Sequence, residues 1–150
     1  MARRRGFVNC YDMNNHIVTE WNKIVKKRDV TWILGDITME KNNYEILNEL
    51  NGIKKVILGN HDEPQHVPSL LKYVNFVCAY YKKDGILFSH IPIHESEIGR
   101  FRYNIHGHTH NNHILVHPSI SIELGEKHPK YINVCAEVIN YKPKRIDELI

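Results

Sequence analysis

Short apolar runs alternate with polar segments along the chain, and several of these runs stop abruptly at a glycine or a histidine. The runs VTWIL (residues 30–34) and KKVIL (residues 54–58) are rich in β-branched residues and predict two buried strands. Apolar positions recur at helical spacing over residues 12–28, with Asp12 as the expected N-cap, and again over residues 43–50. The order strand, helix, strand predicts a βαβ unit, and therefore an α/β fold that contains parallel strands.

The second half of the chain continues the pattern with shorter strands. Further strands are predicted in NFVCAYY (75–81), GILFSH (85–90) and YINVCAEVINY (131–141), with a short helix over 68–73. YNIHGHTH (103–110) predicts a short strand that runs into a histidine-rich loop. The sequence Lys83-Asp84-Gly85 predicts a hairpin turn between the first two of them. Because no linker and no internal repeat divides the 150 residues, we predict a single domain over residues 1–150.

Composition narrows the class of protein. Hydrophobic residues make up 42% of the chain and charged residues 25%, which is ordinary for a soluble globular protein. No apolar run approaches the length of a membrane span, and the basic start MARRRGF has no apolar signal core, so we expect a cytoplasmic protein without a membrane partner. The net charge of +3 is too small to indicate a nucleic-acid partner by itself.

Histidine is the unusual component of this composition. The chain has eleven histidines, several of them in IHGHTHNNH, and histidine is the commonest side-chain metal ligand in proteins. The three cysteines, Cys10, Cys78 and Cys135, lie far apart without a CxxC pair, so a zinc knuckle is not expected. Any metal site in this chain is therefore expected to use nitrogen and oxygen ligands.

Four polar clusters each follow a predicted strand directly. They are Gly35-Asp36, residues 59–62 (GNHD), His90 and residues 106–110 (HGHTH). Ligands of α/β proteins bind just beyond the carboxyl ends of strands, so neighbouring strands would open all four clusters onto one edge of the sheet. Aspartate, asparagine and histidine without a thiolate suit Mn²⁺, Fe, Zn²⁺ or Ni²⁺. The joint pattern therefore predicts one shared metal site.

Two features of the clusters fit a pair of metal ions. His108 and His110 flank Thr109 and would share one face of an extended strand. Asp36 is the best candidate to bridge two cations, which lie about 3.5–4 Å apart in two-metal hydrolases. Each cluster alone has a commoner structural explanation, since a GD pair is usually a turn and a lone histidine is usually a buried, hydrogen-bonded residue. Other histidines are expected at the surface, namely His16, His66, His117 and His128.

The motifs GDIT, GNHDE, SH and GHTH resemble, in this order, the calcineurin-like metallophosphoesterase superfamily. The pattern of that superfamily is D-x-H, G-D, G-N-H-[DE], a histidine, and G-H-x-H. The resemblance covers nearly the whole chain, since EWNKIVKKRDVTWILGD and INVCAEVINYKP look like the small bacterial and phage single-domain phosphoesterases. It implies a β-sandwich of mixed sheets flanked by helices, with phosphodiester or phosphomonoester hydrolysis by a hydroxide activated at a two-metal centre.

The resemblance also implies a ligand set. Asp36 would bridge both metal ions, Asn60, His90 and His108 would bind the second ion, and His110 would bind the first. The cofactors would be two divalent transition metal ions, manganese before iron, zinc or nickel.

The same resemblance implies catalytic residues and a substrate class. His61 would face the phosphate and protonate the leaving oxygen, while Asp62 would orient the ring of His61. The substrate would be a phosphate ester, with nucleotides and nucleic-acid ends among the candidates. The individual substrate and the oligomeric state stay open.

The chain departs from the superfamily pattern in one respect, because D-x-H occurs nowhere in it. The resemblance then implies an N-terminally incomplete domain that lacks its first strand, and a first metal site that keeps only Asp36 and His110. The alternative is a truncated metal- or phosphate-binding domain with weak or no activity. A mononuclear zinc hydrolase of the metallo-β-lactamase type is disfavoured because HxHxDH is absent.

Overall fold

The protein is a mixed α/β fold with two sheets and few helices, described by a computed structural model over residues 2–39, 43–115 and 126–150. The α-helices are α1 (Cys10–Ile24) and α2 (Val67–Leu70). The 3₁₀ helices span Ala2–Arg5, Glu45–Asn48, Pro64–His66, Glu95–Arg100 and Ile146–Glu148. The strands are β1 (Val30–Ile33), β2 (Ile53–Ile57), β3 (Phe76–Cys78), β4 (Tyr80–Lys83), β5 (Ile86–Ser89), β6 (Tyr103–His106) and β7 (Tyr131–Asn133).

The strands form two sheets whose topology confirms the predicted parallel pairing. The first sheet has the order β1-β2-β3 and is parallel throughout, with Val30 opposite Ile53 and Lys55 opposite Phe76. The second sheet has the order β4-β5-β6-β7, in which β4 runs antiparallel to β5 and the remaining pairs are parallel. The predicted polar clusters therefore follow strands of two different sheets, and not one continuous sheet edge.

Apolar side chains cover both faces of the first sheet. One buried cluster lies between this sheet and the helical segments and includes Trp21, Leu47, Val56 and Leu70. The other lies between the two sheets and contains Ile57, Ile86, Phe88 and Ile105. Val56 and Ile57 are neighbours in β2 with 0% exposure, and they enter opposite clusters because successive strand residues face opposite sides. This packing holds the carboxyl ends of β1, β2, β5 and β6 in fixed relation.

The helices differ from the predicted ones at their ends. The N-cap of α1 is Asn9 and not Asp12, because the Asn9 side-chain oxygen accepts a hydrogen bond from the Asp12 backbone N–H at 2.9 Å. The helix ends at Ile24, before the predicted residue 28, since Val25 turns to an extended conformation and is buried in the core. The predicted second helix is only the 3₁₀ helix Glu45–Asn48.

Two predicted strands also differ in extent. NFVCAYY is not one strand, since it breaks at Ala79 into β3 and β4, which belong to different sheets. The late strand is limited to β7 because Cys135 then donates its backbone N–H to the Asn133 side chain, and the chain turns. The hairpin at residues 83–85 is confirmed, with Asp84 and Gly85 at φ values of 51° and 77°. None of the helices in the described ranges is long and apolar enough to cross a membrane.

Candidate metal centre

Four of the predicted ligands meet beyond the strand ends, two from each sheet. His90 is at the centre of the group: its Nε2 lies 3.2 Å from Asp36 Oδ2, 3.0 Å from Asn60 Oδ1 and 3.2 Å from His108 Nδ1. The ligand atoms of Asp36, His90 and His108 all lie within 4.8 Å of one another. The fold therefore brings together side chains that are separated by up to 72 positions in the sequence.

The orientation of the His90 ring suits metal binding. Its Nδ1 lies 2.6 Å from the backbone carbonyl of Leu34, so this nitrogen carries the proton and donates to the carbonyl. In the neutral ring, Nε2 is then left with a lone pair, and it faces the oxygen acceptors of Asp36 and Asn60. Metal-binding histidines usually donate their other ring N–H in this way. A cation among these atoms would be bound by lone pairs of oxygen and imidazole nitrogen.

Backbone strain is concentrated at the predicted ligands. Asp36, His108 and His110 have φ values of 53°, 67° and 51°, in the left-handed region that side chains other than glycine seldom adopt. Such residues persist only where the surrounding structure holds them in place, and they cluster at functional sites. The strain does not identify the ligand, but it supports a function for these loops.

Close approach between the loops depends on glycine. A Cβ atom at Gly35, where φ is +81°, would lie 2.5 Å from the Gly59 nitrogen and 2.6 Å from Nδ1 of His90. A Cβ atom at Gly59 would collide with the carboxylate of Asp36, and one at Gly107 would lie 3.0 Å from the carbonyl oxygen of Leu34. These glycines therefore bring the loops after β1, β2 and β6 into direct contact.

Asp62 joins two of these loops through backbone hydrogen bonds. Its buried carboxylate accepts the N–H groups of Asp36 and Gly59, each at 2.8 Å, and that of Ile37 at 3.2 Å. No described hydrogen bond joins Asp62 to the ring of the exposed His61, so the predicted role of Asp62 in orienting that ring finds no contact here. The backbone N–H of His61 instead donates to Asp36 Oδ1 at 3.0 Å, which places His61 next to the four-ligand group.

His110 belongs to a separate network with Glu137 and Arg5. Its Nδ1 lies 2.6 Å from Glu137 Oε1, and Glu137 Oε2 lies 3.1 Å from Nη2 of Arg5. Burial alone would raise the pKa of Glu137, but its backbone hydrogen bond together with His110 and Arg5 holds that pKa below its usual value. Sequence reasoning missed Glu137, although it comes four residues after β7 and so has the same position relative to a strand as the four predicted clusters.

Three other described histidines, His66, His94 and His128, contact groups outside the candidate site. His128 is not at the surface as predicted: it is buried, and its ring packs on Tyr131 at 4.9 Å between centroids. His16 is exposed as predicted, His66 is half-buried with Nε2 3.4 Å from Glu63, and His117 lies outside the described residues. His94 uses its Nδ1 to cap a 3₁₀ helix at Ser96.

The fold and this group of side chains define an α/β protein of two packed sheets with a candidate metal centre at its strand ends. No family model matches the chain. The chain is 33% identical over 150 residues to the uncharacterized protein MJ1445 of Methanocaldococcus jannaschii, covering 97% of this chain and 78% of that protein. This similarity shows that the chain belongs to the same family as MJ1445.

Two phage proteins and one solved structure extend the comparison. The gene 66 protein of Mycobacterium phage L5 is 30% identical over 144 residues, with 69% of each chain covered, and that of phage D29 is 29% identical with 67% covered. The crystal structure of a protein of unknown function from Aquifex aeolicus has a TM-score of 0.66 and 28% identity, covering 99% of this chain and 90% of that one. None of these names states an activity.

Proposed function

We propose that this chain is a metal-dependent phosphoesterase of the calcineurin-like metallophosphoesterase superfamily. The observation that carries the proposal is the group formed by Asp36, Asn60, His90 and His108, in which an atom of each of the other three side chains lies within 3.2 Å of His90 Nε2. The order of the motifs along the chain and the two packed sheets support the same superfamily. The individual loops have structural explanations, but their convergence on one point favours a common ligand.

The ligand set fits a divalent transition metal. One carboxylate, one amide oxygen and two imidazoles suit Mn²⁺, and also Fe, Zn²⁺ or Ni²⁺. When bound, such cations activate water as a nucleophile and stabilise negative charge on a phosphate group. Asp36 and His110 would hold the other ion of the implied pair. Glu137 would fix the ring of His110 with Nε2 free for that ion.

The other two predicted site residues, His61 and Asp62, would act on the substrate and on the metal-binding residues, respectively. His61 is exposed beside Asp36, and we assign it the proton that the leaving oxygen of the phosphate ester requires. Asp62 would act as a positioning residue, because its carboxylate holds the backbones of Asp36 and Gly59. The substrate class that follows is a phosphodiester or phosphomonoester.

Metal analysis and a hydrolysis assay test the proposal together. Protein purified without chelator should contain transition metal and should hydrolyse bis-p-nitrophenyl phosphate in a manganese buffer. The variant His108→Gly removes one ligand while keeping a residue suited to a φ of 67°, so it should lose both metal and activity. His94→Asn is the matched control, because asparagine can keep the helix cap there. Full metal content in His108→Gly would contradict the ligand assignment.

A second candidate function is a metal- or phosphate-binding domain without catalysis. The position of His110 favours it, because this side chain is held by Glu137 and is not one of the residues grouped around His90. Such a domain would bind close to one metal ion per protomer and would show no turnover with added Mn²⁺. Two bound ions together with turnover would exclude it.

A further inference from the structure

A cavity of about 560 Å³ opens beside the candidate metal centre and shares two of its residues, Asn60 and His90. It extends from these ligands along the outer face of the second sheet, towards Lys82 and Leu87. A substrate that places its phosphate at the candidate metal centre therefore has room for its organic group in this cavity.

The floor of the cavity consists of alternate residues from two paired strands. Tyr80 lies opposite Ser89, and Lys82 lies opposite Leu87, in the antiparallel pair of β4 and β5. These residues line the cavity because their neighbour Phe88 faces the core between the sheets. The floor thus offers one aromatic ring beside Leu87 and the side chain of Lys82, and Tyr80 is 59% exposed in the strand at the edge of the sheet.

One wall of the cavity is held by buried polar side chains. Asn104, which is 0% exposed, accepts the backbone N–H of Ile93 at 3.0 Å and donates to Ser89 Oγ at 2.9 Å. The hydroxyl of Tyr131 donates to the carbonyl of Ile93 at 2.8 Å. Both backbone groups of Ile93 are therefore fixed, and this wall is formed before any ligand binds.

We propose that this cavity receives a planar aromatic group of the substrate, which stacks on Tyr80 while the phosphate lies at the metal centre. The inference rests on the proposed phosphoesterase function and narrows its substrate class to phosphate esters with a nucleobase or another aryl group. Most residues that line the cavity are apolar, Lys82 and Glu97 being its charged members. Its exposed aromatic ring, Tyr80, suits a flat ring, because aromatic stacking accepts any base. Polyol and sugar phosphates would leave its apolar surface unfilled.

Two five-membered cyclic phosphodiesters test this inference, since they share the same reacting atoms. Adenosine 2′,3′-cyclic phosphate carries a base, whereas glycerol 1,2-cyclic phosphate does not. The adenosine compound should have a KM roughly tenfold lower, as expected for the stacking of one base. Tyr80→Ala should remove most of that difference with little change in kcat, and Tyr80→Phe should retain it. A third arm with bis-p-nitrophenyl phosphate distinguishes any aryl group from a nucleobase.

A control variant and a binding measurement distinguish a failure of the cavity assignment from a failure of the proposed phosphoesterase function. Tyr11→Ala removes a ring of similar exposure, 72%, from a helix that does not line the cavity, so it should leave both KM values unchanged. Equal KM values for the two cyclic esters, unaffected by Tyr80→Ala, would overturn the cavity assignment while leaving the phosphoesterase function intact. Turnover of none of the three esters would contradict the phosphoesterase function. Calorimetry with adenosine then tests the cavity without any reaction. If Tyr80→Ala does not weaken the binding of adenosine, the assignment of the cavity is overturned as well.

Discussion

At the scale of single residues, Asp62 shows how a buried carboxylate can organise a site without being one of the predicted metal ligands. Its hydrogen bonds to the backbones of Asp36, Ile37 and Gly59 fix the loops that follow β1 and β2. The sequence predicted that Asp62 belongs to the site, but its partners are backbone groups from a distant segment. Local sequence cannot reveal such partners, because they depend on how the two loops approach.

The substitution Asp62→Asn should destabilise the protein, because one acceptor oxygen becomes an amide that faces backbone donors. Each buried donor left unpaired costs about 1–3 kcal/mol, so we expect a loss of that size in the free energy of unfolding in urea. Asp84→Asn is the matched control: Asp84 is exposed in the hairpin turn at a φ of 51°, which asparagine also tolerates. Equal effects of the two substitutions would show that the hydrogen bonds of Asp62 contribute little.

His61 allows the proton-transfer role to be separated from metal binding. His61→Asn should leave the metal content unchanged and lower turnover of a phosphodiester by about 10²–10⁴-fold, the usual contribution of a general acid. Elemental analysis and steady-state kinetics on the same preparation measure both quantities. If metal and activity fall in parallel, His61 is a ligand and not the proton donor.

At the scale of elements, the site depends on how closely the loops after β1 and β2 approach each other. Strand existence and the hairpin were predictable, because alternation and turn residues are local signals. The break of NFVCAYY at Ala79 was not, since nothing local marks the point where the chain leaves one sheet for the other. Glu137 was missed for a different reason: β7 ends early, which moves the following carboxylate to the strand end.

The contribution of the close approach between the loops after β1 and β2 to stability can be measured with two alanine substitutions, at glycines of nearly equal φ. Gly35 and Gly6 have φ values of +81° and +83°, but a Cβ atom meets the Gly59 backbone at the first position and nothing within 4 Å at the second. Both variants carry the cost of a left-handed alanine, about 1–2 kcal/mol. Gly35→Ala should be less stable than Gly6→Ala in urea unfolding and should also bind metal more weakly. Equal stabilities would mean that the loops separate without cost.

At the scale of the whole molecule, the four ligands connect the two sheets. Asp36 and Asn60 follow strands of the first sheet, while His90 and His108 follow strands of the second. A bound cation would therefore hold the sheets together at their carboxyl ends, in addition to the apolar cluster between them.

Metal binding should consequently stabilise the whole fold. A ligand that binds only the folded state adds about 2.7 kcal/mol at a concentration of 100 times its Kd. The midpoint of thermal unfolding should rise with Mn²⁺ concentration in the unmodified protein and should stay constant in His108→Gly. This measurement does not depend on catalysis. An equal rise of the unfolding midpoint in both proteins would mean that the ion binds at a site without His108.

The hairpin of β4 and β5 has a kinetic consequence for the assembly of the metal centre. Strands joined by a two-residue turn can pair within about 1–10 μs, whereas the parallel pairs must first close long segments of chain, such as residues 34–52 between β1 and β2. The donor atoms extend from Asp36 to His108, so they can meet only after both sheets have formed and docked. The early folding chain should thus lack the proposed cation site, and the rate of Mn²⁺ binding after dilution from denaturant should report the final docking of the sheets.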